Sequence, residues 1–472
     1  VAVAVGAGIF SVGAQAAAFH AGPAVIISFL IAGIVCGAAV MCYAEFASMI
    51  PVAGSAYTFT YTTVGEIMAW IIGWDLILEM LMAGSVISKY WGVYLNDFMR
   101  LMGWNANTNL AFGSFHIDIA PIIIVAFFTT LLVFGTKIGA RVDGAMTVLK
   151  IAIVFFVVIV GFFYVKASNF TPFIPPSQPA STVEGSSAVT GVMTQPLWQF
   201  ATGMTPSVYG VPGILSGAAL VFFAFIGFDV VATASEETKN PHKNVPLGIG
   251  VGMLLIIVMY MLVAVVTTGM VSYADLAKQD SPSLATAFEL VGADWAAKII
   301  SFGIVLGLAT VVMVLLLGLT RIVFAMSRDG LLPRGLSKTG KHGTPAALQI
   351  VVGAVVALVA AFFDIGVLSD MVNIGTLSAF TLVAISIPIM RKKRPDLPRA
   401  FKMPGSPWIP ILIAVANFWL MLNLSVLTWI RFVVWLVVGF AIYFGYGYWH
   451  ARLGKGDLTE TLSAETDKAV NG

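Results

Sequence analysis

Residues 5–13 read VGAGIFSVG, which places three glycines in a stretch that is otherwise almost entirely apolar. Glycine lowers the cost of leaving helical geometry, because it has no Cβ and tolerates most backbone conformations. A helix that is interrupted inside a membrane exposes peptide N–H and C=O groups, and these can hold a polar ligand. The stretch therefore predicts a broken helix at a binding site, if the chain lies in lipid.

The composition indicates that the chain lies in lipid. Of 472 residues, 59% are hydrophobic and 10% are charged, whereas soluble domains have about 25% charged residues. Apolar runs of about 20 residues, the length that crosses a bilayer as a helix, recur twelve times and are numbered here as spans 1 to 12. The runs are 1–18, 23–42, 67–86, 119–134, 146–165, 214–234, 249–271, 299–323, 346–363, 371–390, 409–427 and 432–448. They lack the alternation of outer-membrane strands, so we predict an all-α membrane protein whose first span is truncated at its start.

Loop charges predict the orientation. Alternate loops on one side, together with the C-terminal tail, hold seventeen Lys and Arg residues, whereas the opposite loops hold five. Cytoplasmic loops are enriched in these residues, so we expect both termini in the cytoplasm and the protein in the plasma membrane, or the bacterial inner membrane. The net charge of +2 then reports orientation and does not indicate binding to nucleic acid.

No sequence motif supports an enzyme. A Walker A sequence is missing, and residue 11 is serine where a dinucleotide fingerprint would have its third glycine. The five histidines are scattered singly, without the spacing of a metal site. We therefore predict no catalytic activity, no cofactor and no bound metal.

Ionisable residues at membrane depth are functional candidates, because burying them in lipid costs several kcal/mol. Glu45, Asp75 and Arg321 lie near span ends, where helix capping and pairing is the favoured interpretation and a gating role is the alternative. Asp229, in span 6, is assigned the same two alternatives. Lys150 lies about two turns from the nearest span end, too far for easy snorkelling, and a functional role is favoured for it.

A second interruption is expected in span 6, where residues 222–229 read FFAFIGFD. Broken helices in corresponding positions of two halves indicate an inverted repeat of five helices plus five, with the binding site between the breaks. The alternative is that Gly6, Gly8 and Gly227 only let helices pack closely.

Several stretches together resemble the amino acid–polyamine–organocation (APC) superfamily, and most of all its cationic amino acid transporter branch and bacterial homologues. They are GAGIF from residue 6, YAEFASMIPVAGSAYTFTY from 43, GWDLILE from 73, VFFAFIGFDVVATASEETKNPHKNVPLGI from 221, TRIVFAMSRDGLLP from 320 and NIGTLSAF from 373. The resemblance implies a LeuT-like 5+5 core within residues 1–390. Spans 11 and 12 would then be peripheral, within 391–450, and residues 451–472 would form a tail that we expect to be disordered.

The resemblance also implies the site residues. The substrate carboxylate would meet the N–H groups of Ala7, Gly8 and Ile9. The ammonium would meet the carbonyls of Ala4, Phe223 and Ile226, and Phe223 would also act as a gate. Glu79 and Met313 would influence which side chain is accepted. For proton coupling the resemblance implies Lys150, Gly6 and Thr310.

The predicted function is secondary import of small neutral or cationic amino acids, coupled to protons. An amino acid or amine exchanger is the alternative, and a sensor that binds without transporting is less favoured. The expected partners are the amino acid, protons and membrane lipids, with an accessory membrane subunit left open. The outer loop 166–212, rich in Pro, Ser and Thr, is interpreted as a flexible insertion, with a lid or a partner site as alternatives.

Overall fold

The computed structural model of the chain describes residues 4–49, 57, 60–61, 65–104, 108–112, 115–135, 139–180, 191–227, 241–279, 282–340, 343–393, 395, 399 and 401–451. Within these ranges the regular secondary structure is helical, apart from two antiparallel sheets of two strands each. Strands β1 (Asn109–Phe112) and β2 (Phe115–Asp118) form one sheet, and β3 (Gln178–Pro179) and β4 (Ser207–Val208) form the other. Both sheets lie in loops between spans, so the predicted all-α class is confirmed.

Every predicted span coincides with helical structure in the described residues. Span 1 comprises a π-helical turn (Gly8–Val12), an α-helical turn (Gly13–Ala16) and a second π-helical turn (Ala17–Ala21). The other spans are Val25–Met49, Glu66–Leu101, Ile119–Phe134, Gly139–Phe162, Gly210–Val221 with Phe222–Phe225, Pro241–Met270, Asp294–Arg328, Ala346–Phe362, Ile365–Lys393, Trp408–Leu422 and Val426–Ile442. Tyr443–Gly447 and Tyr448–His450 continue span 12, and short helices lie at Gly22–Ala24, Ala167–Phe170, Leu197–Thr202, Tyr273–Ala277, Leu284–Leu290 and Arg334–Ser337.

The helices are those of a multi-pass membrane protein. Within the described residues, seven helical segments are long and apolar enough to cross a membrane, and one of them covers spans 1 and 2 together. Four shorter apolar helices coincide with spans 4, 6, 9 and 11. Gly22, whose φ is +60°, separates span 1 from span 2.

Two helices extend well past their apolar runs. Span 3 has 36 residues and span 8 has 35, and at 1.5 Å per residue each is over 50 Å long, more than the ~30 Å hydrocarbon core. Polar residues such as Asn96 and Asp97 continue the helix of span 3, because an α-helix satisfies its own backbone in water as well as in lipid. The predicted runs 67–86 and 299–323 therefore lie inside longer helices, and the run ends do not mark the helix ends.

Spans 3, 8 and 10 form the centre of the bundle. Their most apolar stretches are 78%, 72% and 67% buried, against 28% for spans 5 and 12. Span 3 packs against both span 8 and span 10, while spans 6 and 7 pack against span 2. The peripheral helices carry exposed side chains such as Phe134 and Phe162, which suit a lipid-facing surface.

The outer loop is tied to the bundle where it is described. The Tyr209 hydroxyl donates to the Ala18 carbonyl at 2.8 Å, and the Tyr209 N–H donates to the His20 carbonyl at 2.8 Å. These contacts satisfy carbonyls at the end of span 1 that have no partner further along the helix. Farther along the loop, the Leu197 N–H donates to the Leu424 carbonyl at 2.9 Å. The described parts of the loop therefore contact the bundle at these points, and residues 181–190 lie outside the described part of the chain.

Candidate functional site

The described part of span 1 begins with a non-helical turn. Residues 4–6 are not helical, and the Gly6 N–H donates to the Ala4 carbonyl at 2.8 Å. The π-helical turn starts at Gly8, and no side chain caps it at Ala7. The first N–H groups of a helix have no partner within the helix and carry partial positive charge. This turn therefore presents peptide N–H groups of the kind that bind a carboxylate.

Span 6 stops at the predicted place. Its α-helix ends at Val221, and a 3₁₀ turn follows over Phe222–Phe225. Ile226 is extended, with φ −70° and ψ 148°, and Gly227 has φ +102°. A positive φ is cheap only for glycine, which explains the residue at this position. Residues 228–240, including Asp229, lie outside the described part of the chain.

The start of the span 1 helix (residues 4–8) and the end of the span 6 helix (residues 222–227), called the two breaks from here on, touch each other. A Cβ built on Gly8 would lie 2.2 Å from the Ala224 Cα, so only glycine permits this approach. The hydroxyl of Tyr260, from span 7, lies within hydrogen-bonding distance of the Ala4 carbonyl and, at 2.6 Å, of the Ala224 carbonyl. A hydroxyl has one proton to donate, so the two carbonyls share a single donor that joins span 1 to span 6.

A small cavity lies between the breaks and the central helices. It has about 20 Å³ of room for the centre of a water molecule, which is enough for about one water. Its wall consists of Ala4, Gly6, Ala7, Gly8, Phe223 and Ile226 from the breaks, with Ala83, Ile87, Val311 and Leu315 from spans 3 and 8. All six residues from the breaks are among the site residues predicted from the sequence.

The other four wall residues were missed, because apolar pairs four residues apart occur throughout buried helices and carry no distinguishing signal. Tyr260 was missed for a similar reason, since one tyrosine in an apolar span gives no indication that its hydroxyl meets the breaks.

Three of the predicted substrate residues do not line this cavity. Ile9 lines a neighbouring space between spans 1, 2 and 7, which Phe29 and Thr267 also border. Glu79 is fully buried, one turn before Ala83 in span 3. Its backbone N lies on the side of span 3 that faces span 10, because a Cβ built on Gly375 of span 10 would lie 3.6 Å from it. Met313 is buried in span 8, and in sequence it lies between the wall residues Val311 and Leu315.

Lys150 is fully buried in span 5 and lies across a glycine of span 8. A Cβ built on Gly307 would lie 2.7 Å from the Lys150 Cγ. Thr310 is on the next turn of span 8, and its hydroxyl donates to the Gly307 carbonyl at 3.0 Å. Lys150 and Thr310 therefore both lie beside Gly307, while Gly6 lies on the cavity wall.

Glu45 joins span 2 to span 10. Its Oε1 accepts from the Arg391 Nε at 2.9 Å, and its Oε2 accepts from an Arg391 terminal nitrogen at 2.6 Å. The Met403 N–H donates to the same Oε2 at 2.7 Å. Farther into the bundle, Asp75 accepts from the Ser378 hydroxyl at 2.6 Å. Both carboxyl groups therefore join helices. Arg321 is half-buried in span 8, about two turns before the helix ends at Arg328.

An apolar helical bundle in which the start of one span's helix meets the end of another's, at a cavity lined by peptide groups, is typical of an α-helical membrane transporter. Comparison with known proteins gives the family. The sequence model of the amino acid permease family matches residues 1–446, so the chain belongs to that family, within the APC superfamily.

The relatives extend over most of the chain. A branched-chain amino acid permease of Bacillus subtilis is 42% identical over 96% of this chain and 91% of its own length. A methylthioribose transporter of the same organism is 39% identical over 96% and 92%. A cationic amino acid transporter of Arabidopsis thaliana is 36% identical over 82% of this chain and 60% of its own length. All three are named as permeases or transporters, which are not enzymes, and the family supports an amino acid as the substrate.

Proposed function

We propose that the protein imports neutral aliphatic amino acids by proton-coupled alternating access. The observation that carries the proposal is the cavity at which the breaks of spans 1 and 6 meet. We further propose that twelve helices cross the membrane, with a LeuT-like 5+5 core in residues 1–390, spans 11 and 12 in 391–450, and a tail at 451–472. Both termini would lie on the cytoplasmic side of the cell membrane.

The backbone supports recognition of a zwitterion. The N–H groups of Ala7, Gly8 and Ile9 at the start of the span 1 helix would receive the substrate carboxylate. The carbonyls of Ala4, Phe223 and Ile226 would accept from its ammonium. Of these carbonyls, Ala4 also accepts from the Gly6 N–H, and Phe223 accepts from the Ile226 N–H. A substrate ammonium that bridged spans 1 and 6 would add donors to carbonyls of both, so substrate binding would strengthen the contact between the breaks.

The wall supports an aliphatic substrate side chain. The parts of spans 3 and 8 that face the cavity are Ala83, Ile87, Val311 and Leu315, which are all apolar. A cationic side chain would meet no carboxylate among the described wall residues, and a thioribose would find no side chain to hydrogen-bond its hydroxyl groups, which is costly for a buried polar group. The name of the branched-chain permease relative agrees with this preference.

Lys150 supports proton coupling. Its side chain is fully buried in span 5, and the aliphatic part of that side chain packs against Gly307 of span 8. Opening toward one side of the membrane would hydrate the amine and load a proton, and opening toward the other would release it. Because Thr310 and Gly307 belong to span 8, which also forms the cavity wall, the proton and the substrate would act on the same helix.

The cavity is smaller than any amino acid, so transport requires the breaks to separate. The proposed cycle opens the site to one side, closes it around the substrate and reopens it to the other.

Uptake into proteoliposomes tests the proposal. Radiolabelled leucine should accumulate when protons are driven inward, and accumulation should not respond to sodium. Lys150→Ala should remove the response to the proton gradient, whereas Lys89→Ala, which changes a partly exposed lysine of span 3, should keep it. Unchanged proton dependence in Lys150→Ala would contradict the coupling.

The alternatives give different results in the same vesicles. An exchanger would take up leucine only when amino acid is loaded inside, and a sensor would bind leucine without any counterflow. Uptake of arginine in preference to leucine would contradict the argument from the cavity wall while leaving the transport mechanism intact.

A further inference from the structure

A second cavity lies far from the breaks, on the predicted outer side of the bundle. It has about 570 Å³ of room for water-sized probes, within the range of small-ligand sites. Its walls come from the end of span 5, the end of span 7 and the short helices Tyr273–Ala277 and Leu284–Leu290. It therefore lies at the level where the apolar runs of both spans stop, which is the level of lipid headgroups.

The charges in this cavity favour an anion. The Lys278 ammonium lies 2.7 Å from the Asp275 Oδ1, and the Ser272 hydroxyl donates to the Asp275 Oδ2 at 2.7 Å. The hydrogen bond from Lys278, followed by that from Ser272, lowers the pKa of the Asp275 carboxyl below its usual value, so this carboxylate stays ionised and balances Lys278. Lys166 is exposed, and its ammonium has no ion-pair partner among the described residues, so the described residues of the wall carry one positive charge in excess.

The rim of the cavity is apolar on the side that faces lipid. Phe163 lines the cavity and is 83% exposed. Phe162 and Ile159, nearer the membrane centre on the same helix, are 69% and 60% exposed. An anion with an acyl chain could thus contact the polar cavity and this apolar strip at once. Tyr164, also in the cavity wall, is a residue type enriched at membrane interfaces.

We propose that this cavity binds the headgroup of an anionic phospholipid, with the phosphate beside Lys166 and an acyl chain along Ile159, Phe162 and Phe163. The amide of Gln279 lies in the same wall and can donate to a phosphate oxygen. A zwitterionic phospholipid fits less well, because Asp275 is already engaged with Lys278 and Ser272 and offers little to a second ammonium.

Native mass spectrometry of the purified full-length chain tests this binding. The protein is titrated with phosphatidylglycerol, with phosphatidylcholine and, separately, with soluble glycerol 3-phosphate as a competitor. Because one lysine near a lipid phosphate contributes about 1 kcal/mol, Lys166→Ala should weaken phosphatidylglycerol binding about fivefold and leave phosphatidylcholine unchanged. Phe163→Ala should also weaken phosphatidylglycerol binding, because it removes part of the acyl-chain surface.

Lys298→Ala is the matched control. Lys298 is exposed at the start of span 8, on the same predicted side, and does not line the cavity, so its loss should not change binding. Equal losses in both lysine variants would mean general attraction to positive charge and would overturn the proposal, as would no loss in Lys166→Ala. Displacement of the lipid by glycerol 3-phosphate at matched concentration would show that the cavity binds free phosphate esters, and it would overturn the proposal of a phospholipid site. The readout is binding, so it does not depend on transport.

Discussion

A methyl group added at Gly8 should separate the two breaks. In Gly8→Ala the new Cβ would lie 2.2 Å from the Ala224 Cα, 2.5 Å from its Cβ and 3.0 Å from its N. Carbon atoms in contact lie about 3.5–4.0 Å apart, so the backbones must separate by roughly 1.5 Å. Overpacking of this kind costs about 1–3 kcal/mol of stability, and neighbouring backbone, unlike the end of a flexible side chain, cannot rotate away.

The separation should also weaken ligand binding. A shift of roughly 1.5 Å takes the 2.6 Å contact between Tyr260 and the Ala224 carbonyl beyond about 3.5 Å, where a hydrogen bond is lost. It also moves the carbonyls of span 6 away from the N–H groups of span 1, so one ligand cannot reach both. Losing one hydrogen bond to a charged group costs about 1.5–3 kcal/mol, which corresponds to about 10- to 150-fold weaker binding of leucine.

Titration calorimetry with leucine on purified protein measures this loss. Gly144→Ala is the control, because a Cβ at Gly144 would meet no atom within 4 Å and the same substitution in open space should leave leucine affinity unchanged. A folded Gly8→Ala protein that binds leucine as tightly as the parent would refute the reasoning, since the contact between the breaks would then be unnecessary for the site.

Three further outcomes are expected. Glu45→Ala removes a buried carboxylate that Arg391, 27% exposed, bonds with two nitrogens. Loss of hydrogen bonds to a charged group should cost about 1.5–3 kcal/mol, whereas Glu289→Ala, in the exposed pair with Arg100, should cost at most about 1 kcal/mol; denaturant unfolding of both variants compares them. Tyr260→Phe removes the donor shared by two buried carbonyls and should lower the free energy of unfolding by about 1–3 kcal/mol. Leu315→Ala enlarges the cavity and should raise the uptake of isoleucine or phenylalanine relative to alanine. Unchanged selectivity would contradict a role for Leu315 in selecting the substrate side chain.

Apolar run length located the helices but not their ends. The run in span 3 stops at residue 86, whereas the helix continues to Leu101. An apolar run records which residues tolerate lipid, while a helix ends where the backbone changes conformation. At Gly103, with φ +81°, that change comes well after the last strongly apolar turn, among residues whose helix propensity is unremarkable.

Glycine predicted the breaks because its signal is local. Gly227 adopts a positive φ, and Gly8 permits a close approach, and both requirements depend on the lack of a Cβ. The facing wall could not be predicted in the same way, because Ala83 and Val311 differ in no sequence property from other buried residues of their helices. Their role arises from which turn of span 3 and of span 8 lies opposite the breaks, and this depends on packing over the whole bundle.

A site built from peptide groups separates two recognition tasks. On the proposed mechanism, the carboxylate and ammonium of the substrate meet the backbone, which is the same in every amino acid sequence, so those contacts survive most substitutions. The side chain of the substrate meets only a few residues of spans 3 and 8, and changing them changes the selectivity without disturbing the breaks. Relatives that share 36% to 42% of their residues with this chain can therefore keep one fold while their names specify branched-chain amino acids, a thioribose or cationic amino acids.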